Sequence, residues 1–251
     1  MSETIIATKK LNKSYQEKAV LHDIDLVIKK GEIVSLIGPS GSGKSSLLRC
    51  LNGLEEITSG EILFHNRSLS LKEKDWQEIR KKVGMVFQSY DLFPNRTVLE
   101  NLTIGPVMVK KTAPKISEST ALTWLKRVGL QEYAHHYPRE LSGGQKQRVA
   151  IVRSLCMEPE LILLDEITAS LDPEMVREVL EVILNLAKTD TTMFIVTHEM
   201  AFARQVSDRI IFMSEGRIVE ENTAVEFFTQ PQTERARAFI QSLDFENLSE
   251  E

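Results

Sequence analysis

The residues best placed to do chemistry lie in one short run, Gly38, Pro39, Ser40, Gly41, Ser42, Gly43, Lys44 and Ser45. They fit G-x-x-x-x-G-K-[ST], the spacing of a phosphate-cradling loop. Gly38, Gly41 and Gly43 let the backbone turn tightly and come close to an anion. The helix that follows would aim the free N–H groups of its start, and its dipole, at that anion. Lys44 would add positive charge for the outer phosphates, and the Ser45 hydroxyl suits Mg²⁺. The plainer alternative is a glycine-rich turn with a stray lysine. The flanks favour the cradle: Ile33–Ile37 is an apolar, β-branched strand, and residues 46–51 can continue as a helix.

Other polar residues sit at the ends of apolar runs. Leu161–Leu164 reads as a doubly covered strand ending in Asp165 and Glu166. Side chains alternate along a strand, so the two carboxylates point to different places. One could hold Mg²⁺ while the other orients water. Thr192–Val196 is a second buried strand and leads to His198; Val83–Phe87 is a third and leads to Gln88. Gln88 reads equally well as a ligand and as an edge glutamine bonded to backbone. Ser142 is a natural N-cap for a helix through Leu155. Gly143, Gly144 and Gln145 follow it, and bare amides there would form a second anion site or a plain cap. Tyr15, in the polar stretch Lys13–Glu17, could stack on a nucleotide base or pack on the sheet. His135 and His136 lack companions at metal-ligand spacing and read as a solvated face.

The elements that must position these residues are mixed. Residues 3–36 look like strands, with Lys29–Gly31 as a turn. Lys72–Lys82 reads as an exposed helix. Residues 89–139 turn helical, with Val98–Ile104 and Ser117–Val128 as helices and Pro94, Pro106, Pro114 and Pro138 as breaks. Pro173–Lys188 is a further helix, Ile210–Met213 and Arg217–Val219 form a hairpin, and Phe245–Glu251 is a frayed acidic tail. The chain has 251 residues, 27% charged, with a net charge of −5, which argues against a general nucleic-acid binder. It has no apolar run near 18 residues and no signal-peptide pattern, so a cytosolic location is expected. Cys50 and Cys156 fall in helical apolar patterns and read as buried, reduced thiols.

In order and over nearly the whole length, these motifs resemble the ABC transporter ATPase family. Gly38–Ser45 with Ser46 matches its Walker A loop, Gln88 its Q-loop and Leu141–Gln145 its signature. Leu161–Asp165 with Glu166 matches its Walker B strand and catalytic glutamate. Leu171-Asp172 matches its D-loop, His198 its H-loop and Tyr15 its adenine-stacking position. The resemblance implies an α/β P-loop NTPase fold. It would have a RecA-like parallel-sheet core, an N-terminal antiparallel β subdomain and a helical signature subdomain near residues 89–157. All of these would lie in one domain over 3–246, with an acidic tail at 247–251. It also implies ATP and Mg²⁺, a homodimer, and catalysis by Glu166, His198 and Lys44. Ser45, Gln88 and Asp165 would hold the metal, and residues 142–145 would bind ATP across the dimer.

The stretches at 88–102, 197–204 and 227–232 look like the polar amino acid importers. That branch implies membrane permease partners, indirect contact with a substrate-binding protein, and a place on the cytoplasmic side of the plasma membrane. The alternatives are an ATPase of a lipoprotein-release or cell-division complex, or a soluble nucleotide-dependent switch. Two departures stand out. Ile167 occupies the usual proline position after the glutamate. Ala169-Ser170 replaces the usual Ser-Ala and shifts the D-loop hydroxyl by one residue.

Overall fold

The computed structural model describes residues 3–69 and 73–248. In chain order the elements are β1 (Thr4–Tyr15), β2 (Lys18–Lys29), β3 (Ile33–Ile37), α1 (Lys44–Leu51), β4 (Ser59–Phe64), β5 (Arg67–Ser68), α2 (Glu73–Arg80) and β6 (Val83–Val86). There follow α3 (Val98–Met108), α4 (Pro114–Arg127), α5 (Gly143–Leu155), β7 (Leu161–Asp165), α6 (Pro173–Ala187), β8 (Met193–Val196), α7 (Met200–Val206), β9 (Arg209–Ser214), β10 (Arg217–Thr223), α8 (Ala224–Thr229) and α9 (Glu234–Leu248). The chain divides into two compact units, Met1–Trp76 with Thr192–Glu251, and Gln77–Thr191.

The first unit holds an antiparallel sheet in the order β2-β1-β4-β5 and the strands β10, β9, β3 and β8, neighbours in that order. β3 pairs in parallel with both β8 and β9, and β9 pairs antiparallel with β10. Every residue of β3 and β8 is buried, which explains their unbroken apolar runs. β1 runs without a break from Thr4 to Tyr15. Its pairing with β2 continues, through register shifts, to Tyr15 opposite Lys18. Tyr15 therefore ends a strand rather than lying in a loop. Bulges carry the ladder across polar residues whose pattern reads as a turn.

The end of the chain packs on the strands of this unit through Phe227 and Phe239, whose rings lie 6.0 and 5.1 Å from that of Phe212. Ala203, Ala224 and Ala236 fill the spaces between. One buried carboxylate fixes the α8–α9 connection. Glu220 on β10 accepts from the amides of Gln232 and Thr233 and from the Thr233 hydroxyl, each at 2.8 Å. Residues 249–251 of the expected acidic tail lie outside the described residues, and α9 runs to Leu248.

In the second unit β6 and β7 are parallel, with Val86 opposite Leu164. β7 is wholly buried, as its sequence indicated. The helices expected at 98–104 and 117–128 are present and longer. Thr97 caps α3 with a reciprocal bond to Glu100, so the helix starts at Val98. Gly84 is required on β6, because a Cβ there would lie 2.1 Å from Ser154 Oγ. His135 and His136 occupy a turn between two short 3₁₀ segments rather than a helix. His136 is half-buried against Tyr133 rather than on a fully solvated face. Among the described residues no group of His, Cys, Asp and Glu could hold a metal by itself. Cys50 and Cys156 are free and buried, and burial raises their thiol pKa values to about 11 and about 12.

Burial pushes the Glu220 carboxyl up, but its hydrogen bonds and Arg237 outweigh this and hold it below the usual value. A depressed folded-state pKa gives stability that is present above the unfolded value and lost as pH falls through the folded one. We expect Glu220→Ala to lower stability at pH 7 by about 1–3 kcal/mol, because it leaves amide donors unsatisfied. Urea denaturation at pH 7 and at pH 3 should show the difference from wild type shrinking at the lower pH.

Candidate functional site

The first unit builds a phosphate cradle at the carboxyl end of β3. Gly38, Gly41 and Gly43 all have positive φ, at 149, 78 and 99°. At Gly38 and Gly43 side chains are excluded as well as disfavoured. A Cβ on Gly38 would lie 2.0 Å from the Met213 carbonyl oxygen, and one on Gly43 would lie 2.8 Å from Leu21 Cδ2. Gly43 caps α1 with no side-chain bond, and the first turn holds no acidic residue, so the helix start stays open to an anion. Lys44 is 4% exposed and folds back over the loop, donating to the carbonyls of Gly38 and Pro39 at 3.0 and 3.1 Å. Ser42 Oγ is buried and has no hydrogen-bond partner among the described residues. A helix start with no side-chain cap, a constrained ammonium and a buried orphan hydroxyl fit a bound polyphosphate.

Two more expected residues stand in this unit. Leu36 is opposite Val196 in the parallel β3–β8 register. Gly38 and His198 each lie two residues further on, so both leave the same end of neighbouring strands. His198 is exposed, and Thr197 before it turns back to accept from the Glu199 amide at 3.0 Å. Tyr15, at the end of β1, reaches α1. Its hydroxyl donates to Glu55 and lies 3.1 Å from Ser46 Oγ.

In the second unit Asp165 is the buried last residue of β7, and Glu166 follows with φ 47°. Left-handed backbone is unusual for glutamate, and it turns the side chain away from the strand direction. The turn is closed by Ala169 N donating to the Glu166 carbonyl at 3.1 Å. Gln88 is exposed just past β6 and donates to Ser170 Oγ at 3.0 Å. The hydroxyl that the sequence showed shifted by one position thus meets the glutamine amide.

Ser142 caps α5 reciprocally with Gln145, at 2.9 and 3.3 Å. The expectation of bare amides here needs correction. The Gly144 amide points at Met175 Sδ at 3.2 Å, and the Gln145 amide is taken by the cap. The two glycines also serve packing. A Cβ on Gly144 would lie 2.9 Å from Met175 Cβ, and one on Gly143 would lie 3.1 Å from Leu171 and from the Tyr90 hydroxyl.

Sequence reasoning did not single out Gln147, Asn101 or Glu55. Gln147 is fully buried on α5 and donates to the Phe87 carbonyl at 3.2 Å, beside Gln88. Asn101, also fully buried, donates to the carbonyls of Phe93, Arg96 and Thr97 and accepts from the Phe93 amide. It fixes the loop that presents Phe93, which is 47% exposed, while Leu92 is half-buried rather than exposed. A polar residue at an inward position of an amphipathic helix was the signal available for both.

Known proteins resemble the chain over most of its length. The family model described as ABC transporter matches residues 21–169. The chain is 51% identical over 230 residues to the glutamine transport ATP-binding protein GlnQ of Geobacillus stearothermophilus, covering 92% of this chain and 95% of that one. It is 48% identical over 242 residues to the general L-amino acid transport ATP-binding protein AapP of Rhizobium johnstonii, covering 96% and 94%. Among solved structures, the dimeric post-hydrolysis state of the ATP-binding cassette MJ0796, bound to ADP and Pi, matches with a TM-score of 0.80. That match is at 35% identity, over 88% of this chain and 99% of that one.

Lys44 holds the loop as well as charge, so its loss acts twice. Lys44→Ala should weaken nucleoside triphosphate binding at least about tenfold, near 1.4 kcal/mol, in calorimetric titration. Unchanged affinity would remove Lys44 from the cradle.

Proposed function

The chain belongs to the ABC transporter family, and from that premise we propose that it powers an importer of polar amino acids. It has the fold of an ABC ATPase cassette and is an ATPase. The observation that carries the finer reading is the near full-length match to proteins named for glutamine and general L-amino acid transport, in a chain with a built phosphate cradle. That match favours the importer over a lipoprotein-release or cell-division complex. Among the described residues no helix is long and apolar enough to cross a membrane. In this reading membrane permease subunits carry the path and choose the substrate. The chain works beneath them, on the cytoplasmic side, as a homodimer.

Roles follow from placement. In the first unit the loop 38–46 and Lys44 bind the phosphates, Tyr15 stacks on the adenine, and His198 steadies charge that develops on the γ-phosphate. In the second unit Glu166 acts as general base toward the attacking water. Ser45 offers a hydroxyl in the first unit, and Asp165 and Gln88 offer a carboxylate and an amide oxygen in the second; each is a hard donor of the kind that would hold Mg²⁺. When bound, the ion neutralises phosphate charge. Ser142, Gly143, Gly144 and Gln145 meet the partner protomer's nucleotide. The thioether facing the Gly144 amide is a weak acceptor, readily exchanged for a phosphate oxygen. Binding of ATP in this manner closes the dimer and hydrolysis releases it, a ligand-driven population shift. The helical subdomain at 89–157 passes that motion to the permease, with Phe93 as one contact.

Glu166→Gln should keep ATP binding and lose steady-state hydrolysis by at least about a hundredfold. Near-normal phosphate release in that variant would remove Glu166 from the role. Replacing Leu92 and Phe93 with glutamate should cut amino acid uptake into vesicles carrying the assembled transporter, while basal hydrolysis by the isolated subunit stays within about twofold. Full uptake would place the coupling surface elsewhere.

A further inference from the structure

Glu55 has no role in the chemistry above, yet it meets Tyr15, Lys13 and Arg49 at once. It follows α1 in a turn closed by its own amide on the Arg49 carbonyl at 3.2 Å. It accepts from the Tyr15 hydroxyl, and it lies 3.9 Å from Lys13 Nζ and 3.5 Å from Arg49 Nη1. Its side chain is only 17% exposed. A phenol has one proton to donate. With that proton on Glu55, the 3.1 Å contact with Ser46 leaves the Ser46 hydroxyl as donor to Tyr15 Oη. The far end of the Tyr15 side chain is therefore tied to both α1 and the turn after it.

Lys13 completes the arrangement. Its ammonium donates to the Glu56 carbonyl at 2.8 Å and lies 4.6 Å from the Tyr15 ring centroid, over one face. The ring as a whole is still 41% exposed. One face is covered by a cation that is itself anchored, which leaves the opposite face as the stacking surface. A tyrosine held only by its own χ angles would have to be ordered when a base arrives, and that cost weakens binding. Here the plane, the tilt and the usable face are set beforehand.

We propose that Glu55 is a positioning residue for the purine base: with Lys13 and Ser46 it latches the Tyr15 ring in a fixed plane, so that one face is preorganised for stacking. This rests on the reading of Tyr15 as the base-stacking residue. It assigns to the turn after α1 a part in affinity for the base, distinct from the part the glycine loop plays toward the phosphates.

The test separates base from phosphate. Steady-state hydrolysis is measured on the purified full chain against ATP, with inorganic tripolyphosphate, which has no base, as competitor. Glu55→Ala should raise KM for ATP roughly three- to tenfold, with kcat within about twofold and the tripolyphosphate inhibition constant unchanged. Tyr15→Phe keeps a ring but breaks the latch, so it should raise KM by a similar factor. The double variant should go no further, because both changes remove one interaction. Glu55→Gln, which still accepts from the hydroxyl, should recover most of the loss. A purely structural role would instead move kcat and the tripolyphosphate constant together with KM. Tyr15→Ala is the control for the premise. If it raises KM for ATP while Glu55→Ala and Tyr15→Phe do not, stacking stands and the latch is overturned. If Tyr15→Ala leaves KM unchanged, the stacking reading itself fails and the latch fails with it.

Discussion

An anion cradle made of backbone amides works only if those amides are held in fixed directions. That constraint organises the first unit. Glycine supplies the open backbone, and it is also the most flexible residue, so the loop must be clasped from outside. The clasp is the turn between β9 and β10. The Gly216 amide donates to the Ser42 carbonyl at 3.1 Å, and the Gly216 carbonyl accepts from His22 at 2.9 Å. The Met213 carbonyl meanwhile sits where a Cβ of Gly38 would be. Strand β2, the glycine loop and the last hairpin are thereby locked together. Residues nearly two hundred positions apart in the chain hold the cradle open before any ligand binds, which is how such a site avoids reorganisation on binding. The Glu220 bonds to the α8–α9 connection then tie the end of the chain to that same hairpin.

The second unit solves a different problem, which is to display polar groups from a wholly apolar strand. β7 is buried along its length, so its polar groups must appear at its end. Asp165 stays inside the last turn of the strand. The left-handed Glu166 breaks the direction, and successive turns over 166–171 carry the chain to the cap of α6. Asp172 caps that helix through the Met175 amide at 2.9 Å. Met175 in turn covers the Gly144 amide, so the start of one helix shields the start of another.

The sequence announced much of this because apolar runs and glycine spacing are local signals. β3, β7 and β8, the cradle at 38–45, the capped start of α5 and the terminal hairpin were all legible. What was not legible depends on pairing over distance. Tyr15 read as a loop residue because the bulged β1–β2 ladder has no clean alternation, and only the register with Lys18 makes it a strand end. Gly143 and Gly144 read as bare amides, because nothing local reveals that Met175, thirty-one residues on, packs against them. Glu55, in an acidic pair after α1, belongs to no local motif. Its meaning arises only when β1 brings Lys13 and Tyr15 beside it.

The two departures near Glu166 belong to one local design. A proline at 167 would bias the residue before it toward extended backbone. Ile167 lifts that bias, and its side chain, 5% exposed, anchors the turn by burial instead of by ring geometry. The left-handed Glu166 is then held by packing and by the Ala169 amide. The shift of the serine from 169 to 170 matters for the same turn. At 170 its hydroxyl accepts from Gln88, so the residue after β6 and the turn after β7 restrain one another through a single exposed hydrogen bond. Such a bond is worth only about 0.5–1.5 kcal/mol, so it restrains Gln88 without locking it. The altered sequence thus holds Glu166 in place through the burial of its neighbour, and ties Gln88 to the same turn through Ser170.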